Sequence, residues 1–186
     1  MTRLEFWKTR GLEAKESRAI ADIEEHGCHI ISVTGSPPWC YSVGSHDQTG
    51  GPELIVFGLE PAVAQFVINE TFRQAREEGL ALTSGSVVKD LLEGDFVCAL
   101  RPVLPKWYDW LVGWDLWFYG SRDFPMLQCV WPDKSGFYPW QAEFRSDWKP
   151  FQPMLDREDE SDAHLSQLIQ AMRESEGSCT CREPVD

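Results

Sequence analysis

Six polar side chains sit in or beside apolar segments of this chain: His26, His29, Tyr41, His46, Glu53 and Asp133. Imidazole, phenol and carboxyl groups in such settings can move protons, because burial and neighbours shift their pKa toward the working range. Asp133 is the acid best placed for that work, since it follows Trp131-Pro132 and precedes Gly136, a stiff and partly apolar frame. With a histidine it could serve as general acid or base. The preferred reading is plainer: an Asx-turn, in which the carboxylate bonds its own downstream backbone. His26, His46 and Asp133 are therefore the candidate catalytic groups, and Tyr41, Glu53, Trp131 and Trp140 the candidate ligand contacts. His26, Cys28 and His46 could offer metal ligands, but spacing alone makes a weak case. Cys179 and Cys181 are too close-spaced for a familiar zinc knuckle, so no metal and no cofactor is expected. The chain has no Gly-x-Ser-x-Gly elbow, no phosphate-cradling glycine loop and no His-Glu-x-x-His helix.

The run Trp131-Pro132-Asp133-Lys134-Ser135-Gly136-Phe137-Tyr138-Pro139-Trp140 is the most distinctive stretch. Its two prolines fix φ and remove donors, so it is neither a strand nor a helix interior. Asp133 to Gly136 supplies turn chemistry. A rigid aromatic turn of this kind plugs a core more often than it lines a pocket.

The elements that must position these groups follow from periodicity. Residues 12 to 25 read as a helix with His26 in its last turn and Gly27 at the left-handed cap. Cys28 to Val33 and Trp39 to Gly44 read as a strand hairpin, followed by a polar loop from Ser45 to Pro52. Leu54 to Phe57 is an unbroken apolar run, the mark of a central strand covered on both faces. Pro61 opens a helix whose buried face is expected to hold Val63, Phe66, Val67, Phe72 and Ala75. Val87 to Leu92 reads as a short helix, and Phe96 to Val103 and Pro125 to Trp131 as further strands. Between them Trp107, Leu111, Trp114 and Phe118 recur at helical spacing. Together these predict a single α+β domain over residues 1–155, with a mostly antiparallel sheet of about five strands and packed helices. An acidic linker and an amphipathic C-terminal helix follow over 156–176, carried by Leu165, Leu168, Ile169 and Met172, then a patternless, disordered tail over 177–186.

The net charge of −13 disfavours nucleic acid, whose phosphates an acidic surface repels, and favours a basic protein partner. No apolar run approaches the roughly 18 residues of a membrane span, and Met1 to Arg10 carries no export signal. A soluble, cytoplasmic protein with reduced thiols is expected.

His26-Gly27, Tyr41-Ser42-Val43-Gly44, Pro52-Glu53-Leu54 with Phe57-Gly58-Leu59, Val130-Trp131-Pro132-Asp133, Gly136, Pro139-Trp140 and Gln152-Pro153 stand in an order that resembles a bacterial family, domain-of-unknown-function family 4262. The resemblance runs over roughly residues 20 to 155. Cys28 departs from it, since the family often has a larger aromatic there. The resemblance implies a bacterial cytoplasmic protein whose motif residues cluster around one feature of the fold. It implies no reaction.

Three functions stay open. The chain could be an acidic protein-binding module of the immunity or inhibitor type. It could instead be an enzyme or small-ligand binder with a pocket around His26, Tyr41, His46 and Asp133. Or it could be a regulatory or assembly module acting through the C-terminal helix. The oligomeric state is left open.

Overall fold

A computed structural model describes residues 1–157 and Gln170. Apart from residues 156–157 and Gln170, the expected acidic linker, C-terminal helix and tail, including Cys179 and Cys181, lie outside the described residues.

The chain opens with α1 (Arg3–Lys8), whose start is closed by a capping box between Thr2 and Glu5. Helix α2 (Ala14–His26) ends where Gly27 takes φ 85, the left-handed cap that its sequence predicts. Strands β1 (His29–Val33) and β2 (Trp39–Val43) form the expected antiparallel hairpin, with His29 opposite Val43. The stretch read as a polar loop contains a short helix, α3 (Ser45–Thr49), between left-handed glycines Gly44 and Gly50. Thr49 Oγ1 donates to the Ser45 carbonyl at 2.9 Å, so the turn satisfies itself locally.

Strand β3 (Glu53–Phe57) then takes the centre of the sheet, antiparallel to β2 and parallel to the distant β6 (Met126–Val130). Helix α4 (Pro61–Glu77) begins with proline at its first turn. Strand β4 (Val87–Val88) stands where a short helix was expected. Its β-branched pair is drawn onto β5 (Cys98–Pro102), where Gly85 N donates to Leu100 O and Leu100 N donates to Ser86 O. Asp90, at φ 58, then breaks any helical continuation. After a 3-10 turn, the aromatic stretch forms two helices rather than one, α5 (Tyr108–Leu111) and α6 (Gly113–Tyr119). Val112 leaves helical geometry at φ −135, ψ 53, and the break lets the indoles face different ways.

The sheet has six strands in the order β1-β2-β3-β6-β5-β4, one more than expected and antiparallel except between β3 and β6. Leu54 and Val56 point to the face covered by α4, and Ile55 and Phe57 to the face covered by α2, α5 and α6. Each such side chain contributes roughly 1.5–3 kcal/mol by leaving water. On α4 the buried stripe is Ala64, Val67, Ile68, Thr71 and Phe72. Val63 and Phe66, expected in the core, are 39% and 50% exposed. Small Ala64 and Thr71 let the helix lie close on the sheet, and Thr71 hides its hydroxyl on the Val67 carbonyl at 2.7 Å. That rotation turns Phe66 outward. Among the described residues, no helix is long and apolar enough to cross a membrane.

Candidate functional site

The outer edge of β1 has no strand beside it among the described residues, because β1 pairs with β2 alone. Helices α2 and α4 flank that edge and leave a groove of about 940 Å³. Its floor is Cys28, His29 and Ile30, with Arg18, Asp22 and His26 on the α2 wall and Phe66, Asn69 and Arg76 on the α4 wall. At the start of β1 it meets a second, mostly apolar lobe of about 330 Å³. This end lobe is walled by Gly27, Pro52, Phe72, Ala75 and Leu82, and the two lobes share His26, Cys28, Phe72 and Arg76. The left-handed cap at Gly27 is what brings the end of α2 and the start of β1 together at this junction.

The charges of the groove are unevenly committed. Asp22 accepts from His29 Nδ1 at 2.7 Å, tying α2 to β1 and fixing the ring. Arg73 is held by Glu70 at 2.6 Å, Glu77 at 2.8 Å and Glu78 at 2.7 Å. Arg18 and Arg76 are exposed and form no ion pair or hydrogen bond among the described residues. Burial pushes the Cys28 thiol up to about 12, helped by Glu53 and opposed by Arg76, so it is not an activated nucleophile.

Behind the end lobe stands Glu53, fully buried. Its carboxyl accepts from the Ser42 and Tyr119 hydroxyls and from His46 N at 3.0 Å. Burial raises its pKa, and those donors only partly offset the rise. Asp115 on α6 is also fully buried, and neither of its oxygens has a hydrogen-bond partner. Burial first, and the nearby Glu53 second, raise it well above an ordinary aspartate. Glu53 thus ties α3, β2, β3 and α6 together, while Asp115 is buried without such ties.

The sequence candidates therefore divide. His26 lines both lobes. His46 lies behind the end lobe, with Nδ1 donating to the Gly51 carbonyl at 2.9 Å. Tyr41 is buried on the α5/α6 face, where its hydroxyl accepts from Trp114 N at 3.3 Å. Asp133, Trp131 and Trp140 stand at the opposite end of the strands, past the C-terminus of β6. There Asp133 Oδ1 accepts from Ser135 N at 2.8 Å and Phe137 N at 3.1 Å, and Oδ2 from Arg145 N at 3.0 Å. Burial alone would raise its pKa, but these donors hold it below the ordinary aspartate value. Trp131 Nε1 donates to the Phe57 carbonyl at 2.8 Å, and its backbone is clamped on both sides by the Gln152 amide. Trp140 stacks on Tyr138 at 4.7 Å, with the Arg101 guanidinium 5.0 Å from its ring centre. No shared pocket joins Asp133 to His26 among the described cavities.

Sequence reasoning missed Arg18, Asp22 and Arg76. A helix pattern shows where arginines fall but not which of them lacks an acid in space. Among the described residues, no three of His, Cys, Asp and Glu gather closely enough to hold a metal.

The motif spacing is explained by the same geometry. A Cβ at Gly44 would meet the Ile23 side chain at 2.8 Å, and one at Gly58 would meet the Phe151 carbonyl oxygen at 2.5 Å. No curated protein and no solved structure matches the chain. Residues 22–145 match the family described as "Domain of unknown function (DUF4262)", and the chain belongs to that family.

Proposed function

We propose that this protein is a protein-binding module that takes an extended segment of its partner as an added strand along β1. The observation that carries this reading is the unpaired β1 edge lying open between two helices. Its sequence, His-Ile-Ile-Ser-Val, has none of the lysines or prolines that commonly blunt an exposed edge. Main-chain hydrogen bonds would supply affinity, and Ile30 and exposed Phe66 would meet alternate side chains of the guest. The net charge of −13 favours a partner that is basic overall, as an immunity or inhibitor protein would need against a basic target. The four described cysteines, Cys28, Cys40, Cys98 and Cys129, are unpaired, in keeping with a reducing cytoplasmic setting.

The test is a randomised hexapeptide library passed over immobilised protein, with enriched peptides then followed by amide hydrogen exchange. Enriched peptides are expected to protect backbone amides of Ile30 to Val33, to weaken with salt, and to lose about tenfold in affinity against Phe66→Asp. Enriched peptides that leave every β1 amide unprotected overturn the reading.

A second reading, catalysis in the groove, has the Asp22–His29 contact in its favour, since a carboxylate-oriented imidazole is a general-base arrangement. It expects His29→Ala to abolish turnover of a neutral ester probe such as p-nitrophenyl acetate. A rate indistinguishable between wild type and variant removes it.

A further inference from the structure

The groove does not end symmetrically. At the start of β1 it opens into the apolar end lobe, and Arg76 stands at the junction with no partner among the described residues. The ionisable side chains lining that lobe are His26, Cys28 and Arg76, and no carboxylate is among them. A guest strand that pairs antiparallel with β1, as β2 does on the other side, runs with its C-terminal end toward Cys28. Two observed features, an apolar cavity and an uncommitted guanidinium, thus coincide at the place where an antiparallel guest would end.

We infer that the guest is the C-terminal segment of a partner protein, with its last side chain apolar and seated in the end lobe and its terminal carboxylate on Arg76. This rests on the strand-addition reading above and narrows it. A parallel guest would bring an N-terminal ammonium to the same spot, where the lining offers no acid to receive it. A guest that continued through the lobe would carry its backbone into a lining of Phe72, Ala75 and Leu82, which holds few groups able to satisfy it. A chain end avoids that cost, because its carboxylate accepts from the guanidinium in a charge-assisted pair. Glu53 lies behind the lobe with its oxygens already occupied by Ser42, Tyr119 and His46 N, so it does not compete for Arg76 through a direct bond.

The experiment uses the full chain and one randomised hexapeptide library made twice, with free C-terminal carboxylates and as C-terminal amides. Enrichment is read by mass spectrometry, and affinities of the winners by fluorescence anisotropy. The expected result is enrichment from the free-acid library alone, with Leu, Ile, Val or Phe at the last position, and about tenfold or more loss on amidation. Arg76→Ala, a change at an exposed helix position, is expected to erase that preference while leaving thermal unfolding unchanged. Ala75→Phe, which fills the lobe, is expected to move the last-residue preference toward Ala. Equal enrichment from both libraries overturns the chain-end inference and leaves strand addition standing. Failure of both libraries to yield a peptide that protects β1 amides overturns both. Octanoate binding as tightly as the best peptide would show that the site takes a free apolar acid, and overturns the peptide guest. An Arg76→Ala protein that still prefers the free acid also overturns the inference.

Discussion

The two ends of the sheet carry similar residues and put them to opposite uses. At the corner after β6, Trp131, Asp133, Tyr138 and Gln152 are all consumed by contacts within the chain. At the β1 edge, a strand flank and two arginines have no ladder, hydrogen-bond or ion-pair partner among the described residues, and Phe66 stands half exposed. The corner holds Trp131, Asp133 and Trp140, three of the residues that the sequence singles out. The groove holds more unspent binding capacity. Residue type signals potential, and only satisfaction in space decides whether that potential is free for another molecule.

The difference can be broken or sharpened by mutation. Trp131→Ala should cost most, about 3–5 kcal/mol for a buried indole, with the Phe57 carbonyl losing its donor as well. Urea unfolding would measure it, and a loss near zero would mean that the corner is not a structural anchor. Gly58→Ala comes next. Its left-handed backbone alone costs about 1–2 kcal/mol for a residue with a Cβ, and that Cβ would press on Phe151 backbone. Thermal unfolding of this variant should show a clear drop.

Asp115→Asn separates the acid pair from both ends. A carboxyl whose folded pKa is raised stabilises the fold below its unfolded value, near 3.8, and that contribution is lost as pH rises toward the folded value. The wild type should lose up to about 1.4 kcal/mol per pH unit within that window. The variant lacks the term, so the Tm difference, variant minus wild type, should grow as pH rises above the unfolded value and level off once the folded carboxyl has ionised. A difference that stays flat with pH would show that Asp115 titrates normally. Phe66→Asp should have the smallest effect on stability, within about 0.5 kcal/mol, because the side chain already faces water. Its consequence is reserved for guest binding.

Much of the fold was legible. The hairpin, the central apolar strand and the Gly27 cap each rest on a local signal strong enough to survive tertiary packing. The α4 face was misread because Val63 and Phe66 are more hydrophobic than Ala64 and Thr71, although the smaller pair permits the closer approach to the sheet. Val87-Val88 was misread because a bridge to β5 decides its state, and that partner lies ten residues on. The candidate site was less legible. His26 could be picked out from its place at a helix end. An unpaired Arg76 or a half-open strand edge is a property of neighbours, and neighbours distant in sequence leave no local pattern.

The lone parallel pairing, Glu53 beside Met126, has a bearing on how the molecule comes into being. The groove half is complete by residue 77, yet its innermost strand waits for a partner made much later on the ribosome. Until β6 emerges, a strand that is apolar from Leu54 to Phe57 stands bare along one side, a template for the wrong chain. Nascent copies would therefore need shelter from one another, and a fragment ending before Met126 would be a seed for clumping rather than a smaller working module.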